Sequence, residues 1–421
     1  MLPKTLAEPG RYRIESTWPL ADEVRKRLLH DGGPSVEVRP VAELLGVYHR
    51  QPVRPQDLLL SLGKTTSALP GLGNAGAAGL AGLTALRTAS RWAIVRYLWA
   101  FSDQRPELCL SALTDQVRQH QRSLLSEHFG IALATDVVEQ SILRRPASVV
   151  DADAVSYDRF LARAMRDLQA HKPDYFWYRH EHGQLSEVMV VEAKGTSSGR
   201  SHAIKQLARG VAQVLVPTNI AGVSMRRIVV GARFIGGKIH AHAIEVGESD
   251  ADARREAVDV IRRQERQPVP AAYRQENEDL LTFVAPVDSA VAAAELDIED
   301  QARLYAFAGR PAVRDMLRTS PQLIQGQVDD LELVYADDTT FRCESTRIAF
   351  GGQTVHVRTG VAEELLVPPA SAPAQGFVRR RASYQERRGA SGNRLVQGEA
   401  SGRPVQVLTS LDGCMLSVEV E

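Results

Sequence analysis

Between Pro173 and Gly195 the chain reads PDYFWYRHEHGQLSEVMVVEAKG, two strand-like runs around a polar turn. No other stretch limits the fold as much. The run Val188-Met189-Val190-Val191 is apolar at every position, whereas a strand with one wet face alternates apolar and polar residues. Such a strand needs cover on both faces and belongs at the centre of a sheet with helices above and below. Charge enters only at its end, as Glu192-Ala193-Lys194. Side chains alternate along a strand, so Glu192 and Lys194 share the face of Val188 and Val190, while Met189, Val191 and Ala193 line the other. Asp174 heads the first run, and a hairpin brings it beside Glu192.

The flanks supply the covering helices. From Leu113 to Leu143 apolar residues recur at spacings near three and four, with Gly130 read as a break between two helices. A helix fits Tyr157 to Ala170. Another fits His202 to Leu215, with Ile204, Leu207, Ala208, Val211, Ala212 and Leu215 on one side and His202, Gln206, Arg209 and Gln213 on the other. Arg226–Ile235 and Lys238–Val246 read as strands joined by Gly236-Gly237, a strong hairpin signal. Helices, strand, strand, helix, strand, strand is the order of a mixed α/β layer structure.

At 421 residues the chain exceeds one ordinary core, and three regions follow: 1–104, 105–249 and 250–421. The first reads as mostly helical, with short helices at Asp22–His30 and Val41–Tyr48. Its uncharged Gly/Ala-rich run from Thr65 to Leu86 is interrupted by Pro70 and Asn74 and lacks apolar bulk. That run reads as a loop or a tightly packed helix, and membrane association is not expected. Gly63-Lys64-Thr65 imitates the end of a phosphate-binding loop, but Leu58 stands where its first glycine belongs. The last region reads as α+β. It opens with a charged helix or linker at Asp250–Glu265, followed by helices at Val291–Phe307 and Pro311–Leu317. Strands come next, at Leu331–Tyr335, Thr340–Cys343, Thr354–Arg358, Val405–Leu411 and Met415–Val420.

Lys+Arg and Asp+Glu both number 51, so a nucleic-acid surface has to be a local patch. One candidate is a basic arm: Arg379, Arg380 and Arg381, with Arg387, Arg388 and Arg394 further on, interleaved with Phe377 and Tyr384. Only seven of the 51 basic residues are lysines, which makes Lys194 beside two carboxylates more telling. Three scattered cysteines without CxxC spacing argue against a disulfide framework or a zinc finger. With no signal-peptide pattern at the N-terminus, a cytoplasmic location is expected.

Two carboxylates favour a hard cation that keeps water and accepts phosphate oxygen, Mg²⁺ first and Mn²⁺ as the alternative. Lys194 is suited to orient or deprotonate the attacking water, or to stabilise charge developing on phosphorus. His180 with His182, and His240 with His242, offer i, i+2 pairs for a metal, with exposed polar strand residues as the plainer reading.

Pro173-Asp174 on one strand, an apolar run into Glu192-Ala193-Lys194 on the next and an amphipathic helix beyond resemble the PD-(D/E)XK nuclease superfamily. That superfamily includes restriction endonucleases, Holliday-junction resolvases and RecB-like exonucleases. The resemblance covers about residues 113–247 and implies an α/β fold, a restriction-endonuclease-like mixed sheet flanked by helices. It further implies metal ligation by Asp174, Glu192 and the carbonyl of Ala193, with Lys194 in the active site. Glu127 matches the glutamate that many members carry on the preceding helix. Some members have Gln-x-x-x-Tyr on the following helix; here Gln206 is followed at that spacing by Gly210. His202 and Arg209 on that helix are expected to contact phosphate, as is the arginine arm.

The expectation is a Mg²⁺-dependent nuclease acting on DNA, with RNA left open, in restriction, defence against foreign DNA or repair. A homodimer or a partner protein is also left open. The alternatives are a non-catalytic nucleic-acid-binding or scaffold protein that keeps the fold, and a delivered nuclease toxin.

Overall fold

The computed structural model describes residues 6–49, 52–66, 94–103, 106–144, 147–152, 173–181, 184–217, 223–248, 251–265, 331–350, 353–366, 384, 393–410 and 413–420. The chain divides into two compact units, one of residues 2–65 and 96–271, the other of 66–95 and 272–421 together with Met1.

The first unit is built on an eight-stranded mixed sheet. Its strands are β1 (Arg13–Ser16), β2 (Val38–Pro40), β3 (Gly46–His49), β4 (Ser148–Asp151), β5 (Tyr175–Glu181), β6 (Gln184–Thr196), β7 (Ser224–Ile235) and β8 (Lys238–Val246). They lie in the order β3-β1-β8-β7-β6-β5-β4, with β2 also paired to β8. The pairs β6–β7 and β1–β8 are parallel, and the other pairings are antiparallel. As the apolar run requires, β6 is central, and Val188, Met189, Val190 and Val191 are all fully buried.

Helix α1 (Trp18–His30) starts from an N-cap in which the Thr17 side chain accepts the Leu20 N–H. The helices α2 (Pro55–Thr66), α3 (Gln119–Val137), α4 (Arg200–Leu215) and α5 (Ala251–Glu265) complete the layers. One core joins Val188, Val190, Phe176 and Tyr178 to α4 through Leu207, Ala208 and Val211, and to α1 through Leu20, Val24 and Leu28. Aromatic packing on the other face sets Phe129 of α3 edge-on to Phe101 and Phe234. Between β7 and β8, Gly236 and Gly237 both take positive φ (56° and 74°), the primed turn that matches the twist of a hairpin.

Several expectations need correction. Within residues 1–104, three segments read as loop or helix are strands of this sheet, β1, β2 and β3. Val41–Tyr48 contains only a 3₁₀ turn at Ala42–Leu44 before β3 begins. These strands are three or four residues long, too short to display a period of two. Gly130 does not break a helix: α3 runs through it and continues into a π-helical turn at Val138–Leu143. The charged stretch after β8 is a helix, and Ala257 joins the same core.

The second unit contains a closed antiparallel barrel. Its strands are β9 (Glu332–Ala336), β10 (Thr339–Phe350), β11 (Gln353–Ala362), β12 (Arg394–Ala400), β13 (Arg403–Thr409) and β14 (Cys414–Val420), in the order β10-β11-β14-β13-β12-β9. Strand β12 is absent from the sequence reading because RLVQGEA looks like the tail of the arginine-rich segment. Closure through β12 is what removes the sheet edges. A four-residue helix, α6 (Glu363–Leu366), follows β11. Tyr384, read as part of a basic arm, is buried in the barrel core with Phe341, Val407 and Met415. The helices expected at Tyr157–Ala170, Val291–Phe307 and Pro311–Leu317 lie outside the described residues, as does nearly all of the Gly/Ala-rich run. Among the described residues no helix is long and apolar enough to cross a membrane.

Candidate active site

The last register pair between β5 and β6 is Tyr175–Val191, but β6 runs on to Thr196, paired among the described residues with β7 alone. Asp174 occupies the gap this leaves. Its carboxylate oxygen Oδ2 accepts the Ala193 N–H at 2.8 Å, and its own N–H donates to Glu192 Oε2 at 2.9 Å. Its carbonyl accepts the Ala152 N–H at 3.0 Å, tying it to β4. Each carboxylate is therefore held by the other residue's strand. Lys194 Nζ donates to Glu192 Oε1. Both oxygens of Glu192 are engaged, whereas Oδ1 of Asp174 makes no hydrogen bond among the described residues.

Two glycine contacts bring α3 to this point. A Cβ on Gly195 would lie 1.6 Å from the Ser126 carbonyl oxygen, and one on Gly130 would lie 2.8 Å from that of Lys194. No side chain fits at either position, so helix and strand touch backbone to backbone immediately after Lys194. Glu127 follows Ser126 and shares the electrostatic environment of Asp174 and Lys194. Spacing alone does not reveal this; the signal was a glycine in an otherwise unbroken helical pattern.

Gly210 answers the missing tyrosine. A Cβ there would meet Val229 Cγ1 at 2.6 Å and Glu192 Cγ at 3.1 Å, so α4 lies directly on Glu192. Glu192 is fully buried, and Lys194 keeps 21% of its side-chain surface.

Burial raises the pKa of Glu192 well above the usual carboxylate value, and Asp174 adds to this against the opposing pull of Lys194. For Lys194, burial disfavours the charge, but Glu192, Asp174 and Glu127 outweigh it and raise the pKa. Glu127 retains exposed surface, yet the protein around its carboxyl and then Asp174 push its pKa up, with Lys194 opposing. Three carboxyl groups thus act electrostatically on one ammonium.

The helix α4 residues fall beside this cluster without joining it. Gln206 hydrogen-bonds to His202, Nε2 to Nε2 at 3.1 Å, and among the described residues makes no hydrogen bond to Asp174, Glu192 or Lys194. Both precede Gly210 on one helix row. The pKa of His202 is lowered by burial and then by Arg209 and Lys205, so these side chains form a polar, electropositive stripe. Arg379, Arg380, Arg381 and His182 lie outside the described residues. Lys64 of the phosphate-loop imitation is bound to both oxygens of Glu139 at 2.9 Å.

Among the described residues no group of three His, Cys, Asp or Glu side chains is arranged to hold a metal ion. The carboxylates that come together are those of Asp174 and Glu192, linked through the Ala193 and Asp174 N–H groups. That set, with surplus negative charge, suits a cation that keeps several waters and needs only one or two carboxylates. Comparison of the chain with protein-family models, with curated proteins and with solved structures gave no match.

Proposed function

We propose that this chain is a metal-dependent nuclease that hydrolyses phosphodiester bonds of DNA, on a restriction-endonuclease-like sheet, in restriction, defence against foreign DNA or repair. The observation that carries the reading is the reciprocal fastening of Asp174 and Glu192 towards the C-terminal end of β6, with Lys194 hydrogen-bonded to the second of them.

Asp174, Glu192 and the Ala193 carbonyl would hold Mg²⁺ or Mn²⁺. When bound, the ion supplies Lewis-acid polarisation of the phosphoryl oxygen and a lower pKa for the attacking water. Lys194, kept protonated by its carboxylate neighbours, places a fixed ammonium where negative charge grows on phosphorus. Glu127 is open to solvent and holds its proton to higher pH than an ordinary glutamate, which fits it for exchanging a proton at the rim.

The runner-up, a non-catalytic binding protein on the same fold, draws support from Glu192 already having both oxygens engaged. Incubating wild type, Asp174→Ala and Lys194→Ala with linear DNA, circular DNA and RNA, in Mg²⁺ or EDTA, separates the two. Cleavage that needs Mg²⁺ and both side chains is the expected result. Cleavage that survives EDTA and both substitutions would sink the mechanism, and no cleavage of any substrate by wild type would favour the binding protein.

A further inference from the structure

The sheet face that carries Glu192 and Lys194 extends into a second polar site. Lys194 is in register with Gly231, Gly231 with His242, and His242 with Glu15. Two residues along, Thr196, Arg233, His240 and Arg13 form the next row. Arg200, the first residue of α4, reaches the same place and is bound to Glu15 at 2.8 and 3.0 Å and to Glu23 at 3.1 and 3.3 Å. Arg13, Glu15, Arg200, Arg233, His240 and His242 line a cavity of ≈ 200 Å³.

Glu15 is shared between His242 and Arg200, which hold its carboxyl well below the usual carboxylate range, but other polar atoms here are left without a hydrogen bond. His242 is only 2% exposed, and neither ring nitrogen has a hydrogen bond among the described residues; Nδ1 stands 3.4 Å from Glu15 Oε2. Arg233 Nε is also buried without a hydrogen bond, and neither Arg13 nor Arg233 forms an ion pair among the described residues. Burial lowers the pKa of Arg233, and Arg200 and Arg13 add to this against Glu15. His240 is pushed down by burial and then by Arg233, His242, Arg13 and Lys238. Such a field repels a cation, which counts against a metal on His240 and His242, and attracts an anion.

We propose that this cavity holds a phosphate of the nucleic-acid strand whose scissile bond lies at Asp174 and Glu192, an assignment that rests on the nuclease reading above. The planar forks of Arg13 and Arg233 match phosphate oxygens, His242 supplies a donor from below, and the N-terminus of α4 favours negative charge. From strand spacing and rise, the Cα atoms of Lys194 and Arg233 lie about 8 Å apart, close enough for one strand to serve both sites. The phosphate is either a terminal monoester or an internal diester.

The test measures binding in EDTA, where no cleavage is needed. Its probes are short fluorescein-labelled single-stranded DNAs carrying a 5′-phosphate, a 3′-phosphate or neither, with inorganic phosphate as competitor. Arg13→Ala and Arg233→Ala are each expected to weaken binding about tenfold. Each should also reduce the slope of log K against log salt by about 0.7. Arg255→Ala on α5 should change neither.

A loss confined to one phosphorylated end, with competition by inorganic phosphate, identifies a terminal phosphate. An equal loss on all three strands identifies an internal one. Arg13 is exposed, so its replacement tests the cavity even if Arg233→Ala disturbs folding. If both variants bind every strand as wild type does, with the wild-type salt slope, the proposal is wrong, whether or not wild type cleaves DNA in Mg²⁺. If wild type cleaves nothing but the variants bind poorly, the nuclease reading falls and the phosphate site stands.

Discussion

Two buried lysine–glutamate pairs in the first unit look alike in composition and differ in their neighbours. Lys64, 5% exposed, gives one hydrogen bond to each oxygen of Glu139, so ammonium and carboxylate answer each other. Lys194 bonds to one oxygen of Glu192, while the other is held by Asp174, whose charge, with that of Glu127, also bears on the lysine. The first arrangement locks α2 to the end of the long helix α3. The second sets the carboxyl groups of Glu192, Asp174 and Glu127 against one ammonium. A buried ion pair is weak evidence of function when its charges balance; an unbalanced one calls for a ligand.

Substitutions should separate the two pairs. Lys64→Ala removes both hydrogen bonds to the Glu139 carboxylate and is expected to lower stability by about 3–5 kcal/mol in denaturant titration, with cleavage per folded molecule unchanged. Replacing both partners by apolar residues, Lys64→Met with Glu139→Leu, should recover much of that loss. Lys194→Ala is expected to lower the cleavage rate about 10²–10³-fold while the protein stays folded, read by single-turnover kinetics beside circular dichroism. If Lys64→Ala cost activity and Lys194→Ala only stability, the roles assigned to the two lysines would be reversed.

Gly210→Ala probes how tightly α4 is seated on Glu192. The added methyl meets Val229 Cγ1 at 2.6 Å and Glu192 Cγ at 3.1 Å. A destabilisation of about 1–3 kcal/mol is expected, together with weaker Mg²⁺ stimulation of cleavage. Wild-type stability and stimulation would mean that α4 does not constrain the carboxylate.

The central strand was legible because Val188 to Val191 can be satisfied in few ways, and the same periodicity set out α4 and the β7–β8 hairpin. The meeting of Asp174, Glu192 and Lys194 was legible because a hairpin brings Asp174 beside Glu192 and strand alternation puts Lys194 on the same face. The edge of the sheet was not, since β1 to β3 are too short for pattern to distinguish them from loops. Gly130 misled because glycine in a helix signals either an ending or a close approach, and only the opposing Gly195 decides which. Likewise Gly210 looked like a lost tyrosine until Glu192 was found beneath it. Arg13 joins Arg233 and His242 only through register between segments more than 200 residues apart in sequence, so no local signal announces the three together.

The subtlest difference between the pairs is in their response to pH. Because Glu192 has a raised folded pKa, the folded protein keeps a proton that the unfolded chain loses above about 4.3. The folded state then binds more protons, so metal-free stability falls as pH rises from that value, by up to about 1.4 kcal/mol per pH unit, until the folded pKa is passed. The raised pKa of Lys194 has the opposite range. Its contribution is fully present below about 10.4 and is lost only as pH rises through the folded value, so it leaves the neutral range unaffected. Urea unfolding in EDTA from pH 5 to 8 should therefore show wild type losing stability relative to Glu192→Gln. The slope is the readout, because glutamine also changes a hydrogen bond and shifts the whole curve. Adding Mg²⁺ should flatten the wild-type curve alone, since a cation that binds only the folded, ionised site takes the proton's place. Parallel curves for the two proteins would mean that Glu192 ionises like any exposed glutamate and that its pair is no more unbalanced than that of Lys64 and Glu139.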